Sequence, residues 1–227
     1  MTTAEIDEIK DNIADVLNRH ANITPARTLS LLNITDLTGK LYEASVLAEV
    51  IERLAVDENL TVTLAGTGTF LHLKQKGGPI NRNYPYFEIS QGGRPVAELF
   101  TDIYFSTISR SRRANTLIKQ RGDYHELDIA LIATGVQIRP EPEEILIAIE
   151  CKNTTLEKST IRELLGFRRE LSFVGYAEPT TFTNWPAPAI NADPPSIHML
   201  YTTHGSILQH YRESCEAFGI KLIHHSL

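Results

Sequence analysis

Cysteine, tryptophan and methionine are scarce in this chain, which contains two, one and two of them among its 227 residues. Two cysteines, Cys151 and Cys215, are too few for a disulfide-dense secreted scaffold, and no Cys/His spacing typical of a zinc site occurs. No apolar run approaches the roughly 18 residues of a membrane span, and the N-terminus carries acids where a signal peptide carries basic residues. We therefore expect a soluble cytoplasmic protein that does not enter the membrane.

The chain also lacks the excess of basic residues that strong, indiscriminate nucleic-acid binders carry. Its formal net charge is −6, and residues 1–58 hold 11 acids against 5 basic residues, whereas residues 59–227 hold 17 of each. Any binding to nucleic acid must therefore depend on local basic patches. The 42% hydrophobic composition excludes wholesale disorder and is sufficient for a sizeable core.

Helical and strand periodicities alternate along the chain. Apolar spacing predicts helices over residues 3–20, 40–56, 156–173 and 206–218. Runs rich in β-branched and aromatic residues predict strands over 60–66, 69–73, 86–90, 96–106, 125–133, 144–152, 197–202 and 220–225. This order predicts an α/β fold, a mixed β-sheet flanked by helices. We divide it into an acidic helical extension, residues 1–36, and one domain, residues 37–227.

Two neighbouring strands carry charged residues at matching positions. The strand 144–152 is apolar on both faces through Ile149, as a central strand is, and then ends in Glu150, Cys151 and Lys152. A hairpin turn near residues 139–140 would pair residues whose numbers sum to roughly 278, which places Asp128 opposite Glu150. Their separation across the strands would be about 5 Å.

Two carboxylates at that separation repel each other unless a cation lies between them. Hard oxygen ligands favour Mg²⁺ or Mn²⁺, and the backbone carbonyl of Cys151 is a further candidate ligand. Lys152 beside the acids could orient or deprotonate a water, or stabilise negative charge in a transition state. This set of groups suits metal-assisted hydrolysis of phosphodiesters.

A strand Asp, followed by a strand Glu-x-Lys and then a helix, resembles the PD-(D/E)XK nuclease superfamily, although Leu127 stands where the motif has Pro. The family core is a helix, a three-stranded meander, a helix and a strand, and residues 40–225 follow that order. The resemblance implies a restriction-endonuclease-like fold in which Asp128, Glu150 and Lys152 are the catalytic motif residues. It also implies a further catalytic acid on the preceding helix, where Glu43 is the matching residue.

The resemblance implies a metal-dependent DNA endonuclease, of the kind found in restriction and phage defence, with Mg²⁺ or Mn²⁺ as cofactor. The candidate DNA-binding residues lie in an acid-free stretch over 107–122 and along one face of the helix 156–173, with Arg168 adjacent to that face. They are Arg110, Arg112, Arg113, Lys119, Arg121, Lys158, Arg162 and Arg169. The amphipathic N-terminal helix is a candidate surface for a homodimer or a partner protein.

Two alternatives stay open at this point. The nuclease fold could serve as a catalytically silent interaction module, in which Asp128 and Glu150 only bind a cation. The substrate could also be RNA or branched DNA rather than a regular duplex. Lys152 beside two acids disfavours the silent module, since a purely structural domain does not require it.

Overall fold

The computed structural model describes residues 1–24, 26–28, 38–66, 77–113, 120–174, 185 and 192–227. Its main helices are α1 (Thr3–His20), α2 (Thr38–Val56), α3 (Ile108–Ser111), α4 (Lys158–Leu171), α5 (Gly205–Leu208) and α6 (Arg212–Glu216). Its strands are β1 (Thr61–Ala65), β2 (Tyr86–Gln91), β3 (Arg94–Ser106), β4 (Tyr124–Ile132), β5 (Ile145–Lys152), β6 (Phe173–Val174), β7 (Ala192–Asp193), β8 (Ile197–Thr202) and β9 (Ile220–His224).

Seven strands form one mixed sheet in the order β1-β2-β3-β4-β5-β8-β9. The strands from β1 to β5 pair antiparallel, whereas β5 pairs with β8, and β8 with β9, in parallel. The short strands β6 and β7 pair separately. The prediction of an α/β fold with a mixed sheet is therefore confirmed.

Helices cover both faces of this sheet. On one face, α1 and α2 pack on the sheet in a single buried cluster that includes Leu17, Leu47, Ile149 and Met199. On the other face, Leu164 of α4 belongs to a cluster with buried side chains of β8, β9 and the two short C-terminal helices. Side chains alternate along β8, since a strand sends successive residues to opposite faces, and β8 therefore contributes to both clusters.

The acidic N-terminal helix α1 is packed against the rest of the chain through its apolar face. Thr2 caps the helix and forms a capping box with Glu5, which satisfies backbone donors at its start. Ile13 and Leu17 are buried in the cluster shared with α2. Ile6, Ile9 and Val16 of the same apolar stripe are partly buried against this cluster, and the acidic side chains of the helix are exposed. Among the described residues, none of the helices combines the length and apolar character that crossing a membrane requires.

Most of the predicted elements are present with boundaries shifted by one or two residues. The prediction of one helix over 206–218 is wrong, because the Tyr211 amide donates to the Leu208 carbonyl in a tight turn that separates α5 from α6. The predicted strand 69–73 lies outside the described residues.

Shortening a buried side chain of α1 tests how much this helix stabilises the domain. We expect Leu17→Ala to lower the free energy of unfolding by about 2–5 kcal/mol, because Leu17 is fully buried. The exposed Asp11 on the same helix provides a control, and Asp11→Ala should change stability by less than about 0.5 kcal/mol. Urea denaturation followed by circular dichroism measures both. Equal stability of the two variants would show that α1 is dispensable for folding.

Candidate active site at the fork between two strands

Strands β4 and β5 separate at the position of the predicted acidic pair. Their pairing runs through Leu131↔Ile147 and Ala130↔Ala148 to Ile129↔Ile149, in the register predicted from the turn. Beyond that pair β4 continues along β3, and β5 continues along β8. The result is a fork in the sheet, with Asp128 on one branch and Glu150 on the other.

A hydrogen bond between a side chain and the backbone bridges the fork. The Cys151 amide, which no longer has a main-chain partner on β4, donates to Asp128 Oδ2 at 2.7 Å. This bond satisfies a buried donor and fixes the orientation of the Asp128 carboxylate. The Cys151 side chain faces the α1–α2 cluster, and burial raises the pKa of its thiol well above the ordinary range. Cys151 therefore contributes backbone to the site rather than a nucleophile.

Glu150 and Lys152 project from β5 toward α4. Lys152 Nζ lies 3.9 Å from Glu150 Oε2, and the Lys152 side chain is 36% exposed, so its amine reaches both the acid and solvent. Glu150 Oε1 is buried and has no hydrogen-bond partner among the described residues. Glu150 and Lys152 line a small cleft with Glu163 and Phe167 of α4. An unpartnered buried carboxylate oxygen is costly, and a cation would compensate it.

Three further charged groups approach the fork from the α2 side. Lys40 Nζ lies 2.5 Å from Glu43 Oε2, one helical turn away, and 2.8 Å from Asp102 Oδ1 of β3. The sequence pattern indicated Glu43 but neither Lys40 nor Asp102. An acid inside the apolar strand 96–106 was the available signal for Asp102, and the Lys40–Glu43 helical spacing was the signal for Lys40.

Asp102 has an unusual backbone conformation. Its φ is +50°, in the left-handed region, which costs a residue other than glycine of order 1 kcal/mol. Phe100 and Ile103 both belong to the core cluster away from α2, although a regular strand would place residues three apart on opposite faces. Asp102 is thus the point at which β3 changes the face that its side chains occupy. This local irregularity is what gives Asp102 its position between Lys40 and the fork.

Asp128 is the electrostatic centre of the site. The pKa of Glu43 is raised to about 7 and that of Asp102 to about 6, chiefly by burial; the charge of Asp128 acts in the same direction, and Lys40 acts against it. Burial and the charge of Asp128 also raise the pKa of Glu150 well above the ordinary value. Burial raises the pKa of Asp128 itself, against the Cys151 hydrogen bond and the charges of Lys152 and Lys40. The charge of Asp128 therefore acts on Glu43, Asp102 and Glu150, and a cation bound among these acids would reduce their repulsion.

The residues at the fork fit a cation held by few protein ligands. Across the described ranges, no three His, Cys, Asp or Glu side chains are grouped as a complete metal centre. Asp128 and Glu150 supply two carboxylates on adjoining strands, and within the described part of the chain Glu150 Oε1 has no hydrogen-bond partner. Mg²⁺ is commonly held by one or two carboxylates and completes its shell with water, so two acids are sufficient.

Some of the candidate DNA-binding residues form ion pairs with acids, whereas others form none among the described residues. Arg110 binds Glu141 at 3.0 Å and Arg113 binds Asp123 at 2.8 Å, so both stabilise the fold locally. Arg121, Lys158 and Arg162 are exposed. Lys119 lies outside the described residues.

Two of the candidates share an aromatic platform. The guanidinium of Arg112 lies 4.2 Å from the centre of the Phe173 ring, and that of Arg169 lies 5.8 Å from the same ring. Phe173 is 37% exposed, and neither arginine forms an ion pair with an acid among the described residues. Cation–π contact orients the two guanidiniums without neutralising them, so they can bind an anion such as phosphate.

Arg168 is not part of the basic surface next to which the sequence placed it. Its side chain is 1% exposed, and its Nε donates to the Phe218 carbonyl at 2.9 Å. Its Nη1 donates to Ser172 Oγ at 2.7 Å and Ser196 Oγ at 3.1 Å. Burial lowers the pKa of this guanidinium to about 10. Arg168 therefore connects α4 to the chain around β8 and β9.

Comparisons with protein-family models, with curated proteins and with solved structures each found no match to this chain. Evidence for the function therefore comes from the geometry of the site and from the order of the elements that carry it.

The raised pKa of Glu43 predicts a pH-dependent stability. Its folded pKa, about 7, exceeds the ordinary value of 4.5, so the folded state binds the proton more tightly than the unfolded state. Stability should therefore fall as pH rises from about 4.5 to 7, by on the order of 3 kcal/mol for this group. We expect the stability of the native protein relative to Glu43→Gln to decrease between pH 5 and pH 8 in urea denaturation. A difference that is constant or increases with pH would contradict the described environment of Glu43.

Proposed function

We propose that this protein is a metal-dependent endonuclease that hydrolyses DNA phosphodiester bonds with Mg²⁺ or Mn²⁺. One observation carries the proposal: Asp128 and Glu150 follow the last β4–β5 pair in register, with Lys152 next to Glu150 on the exposed side. Two repelling carboxylates and an amine at one open end of a sheet are the groups that metal-assisted phosphodiester hydrolysis requires.

Each residue has a definite role in this proposal. Asp128 and Glu150 would hold the metal, with the Cys151 carbonyl as a further candidate ligand. Bound there, Mg²⁺ would supply Lewis-acid stabilisation of the negatively charged phosphate. Lys152 Nζ, which reaches solvent beside Glu150, would orient the attacking water and, in its neutral form, accept the proton that the water loses. Glu43 would support the site from α2.

The order of elements supports a restriction-endonuclease-like fold within the α/β class. The helix α2 precedes the antiparallel strands β3, β4 and β5, and then α4 leads to β8, which pairs in parallel with β5. Strands β1 and β2 lie between α2 and β3; apart from these, the order resembles the helix, meander, helix and strand order of the PD-(D/E)XK core. The acids lie on the second and third strands of that meander, as in the family motif.

Replacing Lys152 tests the catalytic proposal. We expect Lys152→Met to reduce metal-dependent cleavage of supercoiled plasmid by about 10²- to 10⁴-fold, because the water loses its positioned proton-transfer group. Lys10→Met removes the same charge from α1 and should cleave at the native rate. Mg²⁺ should still raise the melting temperature of Lys152→Met but not that of Asp128→Asn, because only the latter loses a metal ligand.

The outcome also separates the alternatives that the sequence left open. Native cleavage retained by Lys152→Met would contradict the role of this lysine. A native protein that is stabilised by Mg²⁺ through Asp128 but cleaves no duplex, branched DNA or RNA would instead be the silent cation-binding module.

The unpaired arginines beside Phe173 predict a specific salt dependence of DNA binding. If Arg112 and Arg169 each contact a phosphate, Arg112→Ala/Arg169→Ala should lower the slope of log affinity against log salt by about 2. Arg19→Ala/Arg212→Ala removes the same total charge from exposed ion pairs and should leave the slope near the native value. Fluorescence anisotropy with a labelled duplex at several salt concentrations measures this. Equal slopes for the two double variants would exclude this surface from the DNA contact.

A further inference from the structure

The ammonium of Lys40 occupies the position of a cation between two acids from different elements. Its Nζ lies 2.5 Å from Glu43 Oε2 on α2 and 2.8 Å from Asp102 Oδ1 on β3. All three side chains are largely excluded from solvent, with exposures of 14% for Lys40, 13% for Glu43 and 1% for Asp102. Burial lowers the pKa of Lys40, but the hydrogen bonds to Asp102 and Glu43 outweigh it, so the amine stays charged.

One ammonium does not neutralise the acids around it. Glu43 keeps a pKa of about 7 and Asp102 one of about 6 although Lys40 binds both, because burial and the nearby Asp128 act in the opposite direction. Two carboxylates share one ammonium here, so when both are ionised the position holds more negative charge than Lys40 balances. A divalent ion would balance it better.

Asp102 also has a free acceptor at this position. Its Oδ1 accepts a hydrogen bond from Lys40. Its Oδ2 is buried and has no hydrogen-bond partner among the described residues. A buried oxygen without a partner costs about 1–3 kcal/mol, a penalty that a metal ion or its bound water would remove. The strained backbone of Asp102 indicates that the surrounding structure holds this carboxylate in place.

We propose that Glu43 and Asp102 form a second cation site beside Asp128, and that the Lys40 ammonium fills it in place of a divalent metal ion. The proposal concerns cation binding and does not require that the protein cleaves DNA. It assigns Lys40 a definite role: the tethered amine keeps a second divalent ion out, so that only the position at Asp128 and Glu150 is open to metal. A variant without this amine should therefore bind one divalent ion more than the native protein does.

The test is the number of Mn²⁺ ions bound at pH 8, measured by the electron paramagnetic resonance signal of free Mn²⁺ during titration. Lys40→Met should bind one ion more than the native protein, because Glu43 and Asp102 lose the ammonium that pairs with both of them. Lys40→Met/Asp102→Asn should lose that additional ion, or bind it at least tenfold more weakly. Lys40→Gln, which keeps a polar side chain, should give the same additional ion and serves if Lys40→Met does not fold.

Arg82 provides a matched control, since it too is a cation bound to a buried acid. Its guanidinium makes two hydrogen bonds to Glu98, and the Gly135 amide also donates to this carboxylate. Both oxygens of Glu98 are bonded, and Glu88, which lies opposite Glu98 across β2 and β3, is exposed, so Arg82→Met should bind no additional Mn²⁺.

Each result of the titration supports or overturns the proposal. The proposal is overturned if Lys40→Met and Lys40→Gln bind the same number of ions as the native protein. It is also overturned if Lys40→Met/Asp102→Asn still binds the additional ion with unchanged affinity. A native protein that binds no Mn²⁺ would defeat the proposed endonuclease site. The second site would still be supported in that case if Lys40→Met gains one ion through Asp102.

Discussion

The hydrogen bond from the Cys151 amide to Asp128 is the interaction on which the geometry of the site depends. Where β4 and β5 part, a buried amide without a partner would cost about 1–3 kcal/mol. The Asp128 side chain takes the place of the missing main-chain acceptor and so closes the fork. The same bond fixes one carboxylate oxygen, which leaves the other available for a ligand. Asp128 is therefore a structural and a chemical residue at once, and Glu43, Asp102 and Glu150 are arranged around it.

Burying these acids close to one another destabilises the folded state electrostatically. Glu43, Asp102 and Glu150 all have raised pKa values, because each is buried and each lies in the field of Asp128. A chain selected only for stability would replace such acids with apolar residues or pair each with a base. Lys40 and Lys152 offset only part of the repulsion. The retained cost indicates that the acids serve a purpose other than folding, and cation binding is the purpose that their chemistry fits.

Strand periodicity and turn position were sufficient to predict how β4 and β5 pair, because a period of two leaves only one register that buries their apolar faces. The contribution of Asp102 was not predictable in this way, since its positive φ breaks the alternation on which such reasoning depends. The spacing of Lys40 and Glu43 indicates an ion pair on α2, but the contact of Lys40 with Asp102 arises from tertiary packing, which local spacing does not encode. Arg168 could have been recognised as buried, because it falls with Ile161, Leu164 and Leu171 on the apolar stripe of α4.

The burial of Arg168 determines which wall of the site is rigid. Its guanidinium connects α4 to Ser196 before β8 and to the carbonyl of Phe218 before β9, and it also bonds Ser172 at the end of α4. Moving α4 outward would break two hydrogen bonds of a buried charge at once, at a cost of several kcal/mol. The helix α4, which lies beside Glu150 and Lys152, is consequently a rigid wall of the site. Any widening of the site to admit a large molecule would have to come from the opposite side of the fork.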